Sequence, residues 1–245
     1  LEARGCNLAD SLWSAKVLVE NPELIREVHL DYYRAGAQCA ITASYQATPA
    51  GFAARDLDEA QSKALIGKSV ELARKAREAY LAENPQAGTL LVAGSVGPYG
   101  AYLADGSEYR GDYQRSAEEF QAFHRPRVEA LLDAGADLLA CETLPNFAEI
   151  SALAELLTAY PRARAWFSFT LRDSEHLSDG TPLRDVVALL ADYPQVVALG
   201  INCIALENTT AALQHLHSLT ALPLVVYPNS GEQYDAVSKT WHHHG

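Results

Sequence analysis

Two side chains capable of chemistry stand at the ends of apolar runs in this sequence. Glu142 follows Leu138–Cys141, and Cys203 follows Ala198–Asn202. A carboxylate at the end of a buried strand is costly without a partner, so Glu142 either binds a substrate ammonium group, transfers a proton, caps the next helix or pairs with an arginine. Cys203 is a nucleophile, a metal ligand or a small buried hydrophobe. A catalytic zinc site needs about three protein ligands, and none adjoins Cys203, so the residues alone leave these alternatives open.

A third candidate is the glycine-rich segment 94–100, with the sequence GSVGPYG. Glycines let the backbone approach a ligand closely and expose N–H donors, although a tight strand-to-helix turn needs the same residues. No Gly-Lys-Ser/Thr follows, so the segment is not a phosphate-binding P-loop.

Short apolar runs that suit strands buried on both faces alternate with helical stretches along the chain. The predicted strands are 39–45, 90–96, 138–143, 165–170, 198–203 and 222–228. Gly36 and Gly135 precede two of them and suit the C-terminal caps of helices. Helix starts are predicted at residues able to cap: Asn21, Asp58, Ser116, Asn146 and Thr181. Pro126 should kink or divide the helix predicted over 116–134.

The serial order of strands and helices implies a parallel sheet, which is either an open doubly wound sheet or a barrel. No Gly-x-Gly-x-x-Gly follows the first strand, which argues against a dinucleotide-binding fold. Polar residues end several different strands, and in a barrel such ends converge on one mouth. They are Thr42, Ser44, Ser95, Glu142, Thr143, Ser168, Asn202, Cys203, Tyr227 and Asn229. We therefore predict an α/β fold of the (β/α)₈ TIM-barrel type, forming a single domain over residues 1–245.

Composition limits the partners and the compartment. The chain has 245 residues and a formal net charge of −12, which argues against nucleic acid or an anionic membrane as partner. The four cysteines are scattered, as is typical of reduced thiols. Neither a membrane-spanning run nor a signal peptide is evident, so we expect a cytoplasmic protein that acts on small molecules. The oligomeric state is not indicated.

Taken together, seven segments resemble the homocysteine S-methyltransferase family, in the family's order and over nearly the whole chain. Any one segment is weak, but the ordered set is specific, and it is most similar to bacterial enzymes that use S-methylmethionine. The segments are Leu12–Ala15, His29–Ala37, Thr42–Thr48, Gly94–Tyr102, Asp137–Thr143, Gly200–Cys203 and Tyr227–Gly231.

The resemblance implies a barrel with one catalytic Zn²⁺ held by three thiolates, of which Cys203 in Gly-x-Asn-Cys is one. The other two belong to a Gly-Gly-Cys-Cys motif that this sequence lacks, as it lacks the family's Asp-Gly motif on the first strand. We therefore expect the domain to be incomplete at both ends, with two further cysteines beyond Gly245. Glu142 matches the family's homocysteine-binding glutamate and Thr42 its strand-two threonine. Ser95 and Asn202 are expected to bind substrate as well.

The implied reaction is methyl transfer from S-methylmethionine, or S-adenosylmethionine, to the zinc-activated thiolate of homocysteine, giving methionine. Zinc lowers the pKa of the substrate thiol, and a sulfonium leaves as a neutral thioether without a general acid. Two alternatives stay open. One is a related enzyme that takes the methyl group from betaine or a folate–corrinoid system, and the other is a zinc-free barrel that serves as a binding module.

Overall fold

The computed structural model describes residues 4, 13–229, 232–235 and 240–243. Of the residues named above, Leu12, Ser230, Gly231 and Gly245 lie outside this part. The helices are α1 (Trp13–Glu20), α2 (Pro22–Arg34), α3 (Pro49–Ala53), α4 (Glu59–Glu83), α5 (Tyr99–Leu103), α6 (Ala117–Asp133), α7 (Phe147–Leu157), α8 (Leu183–Leu190) and α9 (Leu206–Leu219), with a 3₁₀ helix at Ser107–Tyr109. None of these helices is both long and apolar enough to span a membrane.

Each predicted strand is present, with ends that differ by a few residues. The strands are β1 (Cys39–Ile41), β2 (Leu91–Val96), β3 (Leu138–Leu144), β4 (Ala165–Phe169), β7 (Val196–Asn202) and β8 (Leu224–Tyr227). Two antiparallel pairs were not predicted: β5 (Leu171–Asp173) with β6 (His176–Leu177), and β9 (Glu232–Asp235) with β10 (Thr240–His243). The α/β class with parallel strands is confirmed, and closure into a full barrel stays a prediction.

Most of the predicted helix boundaries are confirmed by their capping contacts. Asp58 accepts a hydrogen bond from Gln61 N at 2.7 Å, and Gln61 Oε1 accepts one from Asp58 N at 2.9 Å. This reciprocal pair satisfies two amides at the start of α4. Gly36 and Gly135 have φ values of 104° and 91°, the left-handed conformation in which glycine ends a helix without steric cost.

The structure contradicts the predicted cap at Thr181 and the division of a helix at Pro126, whereas a kink at Pro126 stays a prediction. The helix predicted to be capped by Thr181 begins one residue later, with Pro182 at the N-cap and no side-chain cap bond. Pro126 does not divide its helix, because α6 continues through it from Ala117 to Asp133. Val128 and Leu131, which follow the proline, are fully buried, and this packing offsets the hydrogen bond that proline removes.

Contacts divide the chain into two compact units. The first contains residues up to Val96 together with His124–Ala140. In it β1 pairs in parallel with β2, and β2 neighbours the first residues of β3. Apolar side chains of α1, α2 and α4 form a buried cluster: Val17, Leu18, Ile25 and Leu72.

The second unit contains Gly97–Phe123 and the chain from Cys141 onward, and its sheet order is β3, β4, β7, β8. The parallel register places Ser168 opposite Gly200 and Asn202 opposite Tyr227. Because side chains two residues apart share a face of a strand, Ser168, Asn202 and Tyr227 point to the same side of the sheet. Pairing of β4, β7 and β8 therefore brings three polar side chains together from distant parts of the sequence.

Gly200 sits where β7 and β8 approach closely, and we expect Gly200→Ala to destabilise the protein. A Cβ at this position would lie 2.0 Å from Val225 O, so the two strands would have to separate. The expected loss in the free energy of unfolding is about 1–3 kcal/mol, the typical range for overpacking a core. Denaturant unfolding of the intact protein measures it. Gly88→Ala is the matched control, since no atom lies within 4 Å of its added Cβ. Equal stability of the two variants would contradict the close approach.

Candidate active site at the carboxyl ends of the strands

The buried side-chain amide of Asn202 connects the ends of three strands. Its Oδ1 accepts hydrogen bonds from Thr143 N at 2.9 Å and Ser168 Oγ at 2.6 Å. Its Nδ2 donates to Thr143 Oγ1 at 2.7 Å and to Cys203 Sγ at 3.4 Å. A primary amide offers two donors and about two acceptor positions, so protein groups fill the hydrogen-bonding capacity of Asn202. Direct contact between Asn202 and a substrate would require one of these bonds to break and stays a prediction.

Two residues bonded to this amide have left-handed backbone conformations. Thr143 has φ 60° and Cys203 has φ 51°. Residues other than glycine rarely adopt this region, and for a β-branched residue such as threonine it is an outlier. Such conformations cost about 1–3 kcal/mol each and persist only where the surroundings enforce them. Here the Asn202 amide holds Thr143, and Cys203 N donates to Tyr227 O at 3.2 Å. As a result, the backbone turns sharply at Thr143, near the end of β3, and at Cys203, directly after β7.

The Cys203 thiol lies in an environment that disfavours its ionised form. Burial, followed by the negative charge of Glu142, raises the pKa of Cys203 to about 11, although hydrogen bonds from Asn202 and Thr143 act in the opposite direction. The thiol on its own is therefore neutral near pH 7. A bound metal cation would reverse this balance, because a coordinating thiol is deprotonated outright.

Glu142 and Tyr227 lie beside Cys203. Burial and the charge of Glu142 raise the pKa of Tyr227 far above its usual value, so the phenol remains protonated. Trp166 Nε1 donates to the Tyr227 hydroxyl at 3.2 Å, and Ser168 Oγ lies 3.1 Å from the same oxygen. The charge of the Glu142 carboxylate thus acts on both the thiol and the phenol, and its role in substrate binding stays a prediction.

A second carboxylate, Glu108, also acts on Cys203 and was not singled out from the sequence. It lies on the 3₁₀ helix Ser107–Tyr109, and its charge contributes to the raised pKa of the Cys203 thiol. Burial raises the pKa of Glu108 itself to about 7. The segment after Leu103 has neither strand nor helix periodicity, so sequence pattern gives no signal that this carboxylate turns inward.

Hydrogen bonds from α7 hold the loop that carries Glu108. Asn146 caps α7 by accepting from Glu149 N at 2.9 Å, and its Nδ2 donates to the carbonyl oxygens of Gly111 at 3.1 Å and Tyr113 at 2.9 Å. The capping-box spacing predicts that the Glu149 carboxylate binds the start of its own helix. It instead accepts hydrogen bonds from Tyr99 N at 2.7 Å and from the Tyr113 hydroxyl. The start of α7 therefore fixes both ends of the segment between Tyr99 and Tyr113.

The first unit contains the other two predicted site residues, Thr42 and Ser95, which adjoin each other. Ser95 N donates to Thr42 Oγ1 at 3.0 Å, and Ser44 Oγ donates to Ser95 O at 2.8 Å. The Thr42 and Ser44 hydroxyls lie 2.6 Å apart, and because Ser44 gives its proton to Ser95 O, Thr42 donates to Ser44. These bonds join the ends of β1 and β2. Substrate binding by Thr42 and Ser95 stays a prediction.

No group of three or more His, Cys, Asp or Glu side chains able to hold a metal occurs among the residues that the structure describes. Cys203 offers one soft ligand, so this part of the chain does not by itself complete a three-thiolate zinc site. A cavity opens beside Cys203 in the second unit. Its lining comes from the start of the β5–β6 pair and from α9 and the turn before it: Leu171, Arg172, Asp173, Ser174, Cys203, Ile204, Ala205, Asn208 and Ala212.

Comparison with known proteins gives a consistent result. A family model described as "Homocysteine S-methyltransferase" matches residues 1–245. A homocysteine S-methyltransferase of Escherichia coli strain K12 is 96% identical over 245 residues, covering 100% of this chain and 79% of the relative. The homocysteine S-methyltransferase YbgG of Bacillus subtilis is 54% identical over 247 residues, covering 98% of this chain and 78% of the relative.

A solved structure agrees with this result. The metallated form of the homocysteine methyltransferase MmuM from Escherichia coli superimposes with a TM-score of 0.92 and 96% identity, over 94% of this chain and 80% of that chain. The likeness extends to nearly the whole of the present chain.

Asn202→Ala should destabilise the protein strongly. Thr143 N and Ser168 Oγ would lose their acceptor, and each buried donor left unsatisfied costs about 1–3 kcal/mol, so we expect a loss of at least about 2 kcal/mol in the free energy of unfolding. Asn208→Ala, an exposed asparagine on α9, should change stability by less than about 0.5 kcal/mol. A double-mutant cycle with Ser168→Ala should show coupling between the two positions. Additive effects of the two substitutions would contradict the bond between them.

Proposed function

We propose, from the premise that this chain belongs to the homocysteine S-methyltransferase family, that it transfers a methyl group from a sulfonium donor to the sulfur of homocysteine, giving methionine. The observation that supports this most directly is the placement of Glu142 beside Cys203 at strand ends joined by Asn202. A soft metal ligand next to a carboxylate suits a substrate that carries both a thiol and an ammonium group.

We propose that Cys203 is one of three thiolate ligands to Zn²⁺, the other two coming from sequence outside these 245 residues. Its raised pKa means that a nearby cation is needed to stabilise the thiolate. That the related Escherichia coli enzyme has a metallated form supports a metal in the family. When bound, zinc would lower the pKa of the homocysteine thiol and so generate the nucleophile near neutral pH.

Glu142 is assigned to the ammonium group of homocysteine. The side chain is partly buried at the end of β3, and its charge is felt by both Cys203 and Tyr227. A cation that paired with this carboxylate would form a charge-assisted hydrogen bond and would also relieve the unfavourable effect of Glu142 on the thiolate. Glu142 would thereby orient homocysteine with its sulfur towards Cys203.

The charges around Cys203 also support a cationic methyl donor. Both side chains that raise its pKa electrostatically, Glu142 and Glu108, are carboxylates. S-Methylmethionine is the donor we propose, with S-adenosylmethionine as a second sulfonium. A sulfonium departs as a neutral thioether, so alignment of the two sulfur atoms with the methyl carbon supplies much of the rate. Betaine, a zwitterion whose quaternary ammonium group is positively charged, is the alternative that fits these charges better than a reduced folate.

Glu142→Gln in the intact protein should raise KM for homocysteine about 10- to 100-fold. Hydrogen bonds to charged groups contribute about 1.5–3 kcal/mol, and the glutamine keeps the shape of the side chain while removing its charge. Metal content should stay at the wild-type level. Glu207→Gln, at an exposed glutamate of α9, is the control and should leave KM unchanged. Steady-state kinetics with homocysteine varied provide the measurement, and wild-type KM in Glu142→Gln would refute the assignment.

Cys203→Ser in the intact protein should lose its metal. A hydroxyl is a far poorer zinc ligand than a thiolate, and a site with two remaining thiolates falls short of the three or four ligands that zinc requires. Elemental analysis should find about one zinc per wild-type chain and less than about a tenth of that in the variant. Cys39→Ser removes a half-buried thiol of β1 and should keep its zinc. Stoichiometric zinc in Cys203→Ser would show that the ligand assignment is wrong.

A further inference from the structure

The Glu108 side chain contains a buried oxygen that no described residue satisfies. Its Oε2 is removed from solvent and has no hydrogen-bond partner in the part of the chain that the structure describes. The Arg110 guanidinium favours the ionised form, but that group donates to Asp105 O at 2.9 Å, to Asp112 Oδ2 at 3.1 Å and to Ser107 Oγ at 3.2 Å. A buried acceptor without a partner is unfavourable for folding, so such a group calls for a functional explanation.

The backbone of Glu108 is held firmly, so the position of its carboxylate is not accidental. Thr170 Oγ1 donates to Glu108 O at 2.8 Å, and Ser178 Oγ donates to the Thr170 hydroxyl at 2.9 Å. Thr170 N in turn donates to Leu144 O at 3.2 Å, at the end of β3. On the other side, Gly100 packs so closely that an added Cβ would lie 2.7 Å from Glu108 N. Glu108 is thus anchored to the same ends of β3 and β4 that surround Cys203.

Glu108 and Glu142 have different surroundings although both act on Cys203. Glu142 belongs to β3 and its charge acts on Tyr227 as well, whereas Glu108 lies on the loop after β2 and its charge acts on the thiol more weakly than that of Glu142. If Glu142 binds the ammonium group of homocysteine, a second carboxylate near the reacting sulfur has no cation to bind on that substrate. The methyl donor S-methylmethionine supplies two further positive charges, an ammonium group and a sulfonium, and of these the sulfonium lies next to the methyl group that is transferred to the reacting sulfur.

We propose that Glu108 binds the sulfonium group of the methyl donor and so selects a cationic donor; this inference rests on the proposed function. In the reaction the bond from the donor sulfur to its methyl carbon breaks, and its electron pair stays on that sulfur. The methyl carbon bonds to the homocysteine sulfur through a thiolate electron pair. The donor therefore leaves as a neutral thioether, and Glu108 favours binding of the charged donor over retention of the product.

This role predicts that loss of the Glu108 charge changes the donor KM but not kcat. The positive charge of the donor is already decreasing in the transition state, so a carboxylate that pairs with it stabilises the bound donor more than the transition state. Removing the charge should raise the donor KM without lowering kcat. A residue that merely supports the fold would instead lower kcat, stability or metal content.

The test compares Glu108→Gln with wild type in the intact, metal-loaded protein, using S-methylmethionine and homocysteine. The donor KM should rise at least tenfold, with kcat, homocysteine KM and zinc content each within about twofold of wild type. The melting temperature should not fall, because glutamine removes an unpaired buried charge. Glu108→Asp, which retains the charge, should recover part of the donor affinity. Glu118→Gln, at an exposed glutamate of α6, should behave as wild type in every assay.

A competitor separates the sulfonium from the ammonium group of the donor. Dimethylsulfoniopropionate carries a sulfonium but no ammonium group, and its inhibition constant should rise in Glu108→Gln by the same factor as the donor KM. An unchanged inhibition constant would overturn the assignment of Glu108 to the sulfonium. An unchanged donor KM in an active Glu108→Gln variant would overturn the whole inference but would leave the proposed function intact. No methylation of homocysteine by the wild-type protein would overturn the proposed function and this inference together.

Discussion

The geometry of the site depends on the hydrogen bonds of a single buried amide, Asn202. Its bonds to Thr143, Ser168 and Cys203 join strand ends that lie far apart in the sequence. They also stabilise a left-handed backbone at Thr143, whose conformation would otherwise be unfavourable. Because both donors and both acceptor positions are used, the amide can adopt one orientation only. The turns that present Glu142 and Cys203 follow from that orientation.

The charges around the thiol set the second constraint. Two carboxylates, Glu142 and Glu108, raise the pKa of Cys203 in a region where burial already disfavours a thiolate. Electrostatic interactions are stronger in a buried region of low polarity. The charged groups that act on Cys203 are both carboxylates, and no positively charged group is among them. Cations of the kind supplied by a metal and by two amino-acid substrates would reverse this imbalance. The same imbalance would favour positively charged partners at this site.

The loop between β2 and α6 shows how a packing detail supports chemistry. Gly100 lets the 3₁₀ helix approach α5 closely, and Tyr113, Glu149 and Asn146 join the loop to the start of α7. Aromatic rings of Tyr99, Tyr113 and Phe120 pack edge to face or tilted beneath it. An exposed surface loop would leave Glu108 in water, where its charge would be screened. Here the loop is held against the sheet, so one oxygen of the carboxylate is buried.

The sequence by itself determined the local structure: apolar runs placed the strands, and Asp58, Gly36 and Gly135 marked helix ends, because these effects depend on neighbouring residues only. It also singled out Glu142 and Cys203 as candidates, because each follows an apolar run in the sequence, and their roles stay predictions. Tertiary structure decided the rest. Pro126 stays within a helix because packing outweighs one lost hydrogen bond, and the Glu149 carboxylate bonds to Tyr113 rather than to its own helix start. The saturated amide of Asn202 and the inward position of Glu108 depend on strand register and loop packing, which bring together residues separated by tens of positions, and no local pattern encodes such contacts.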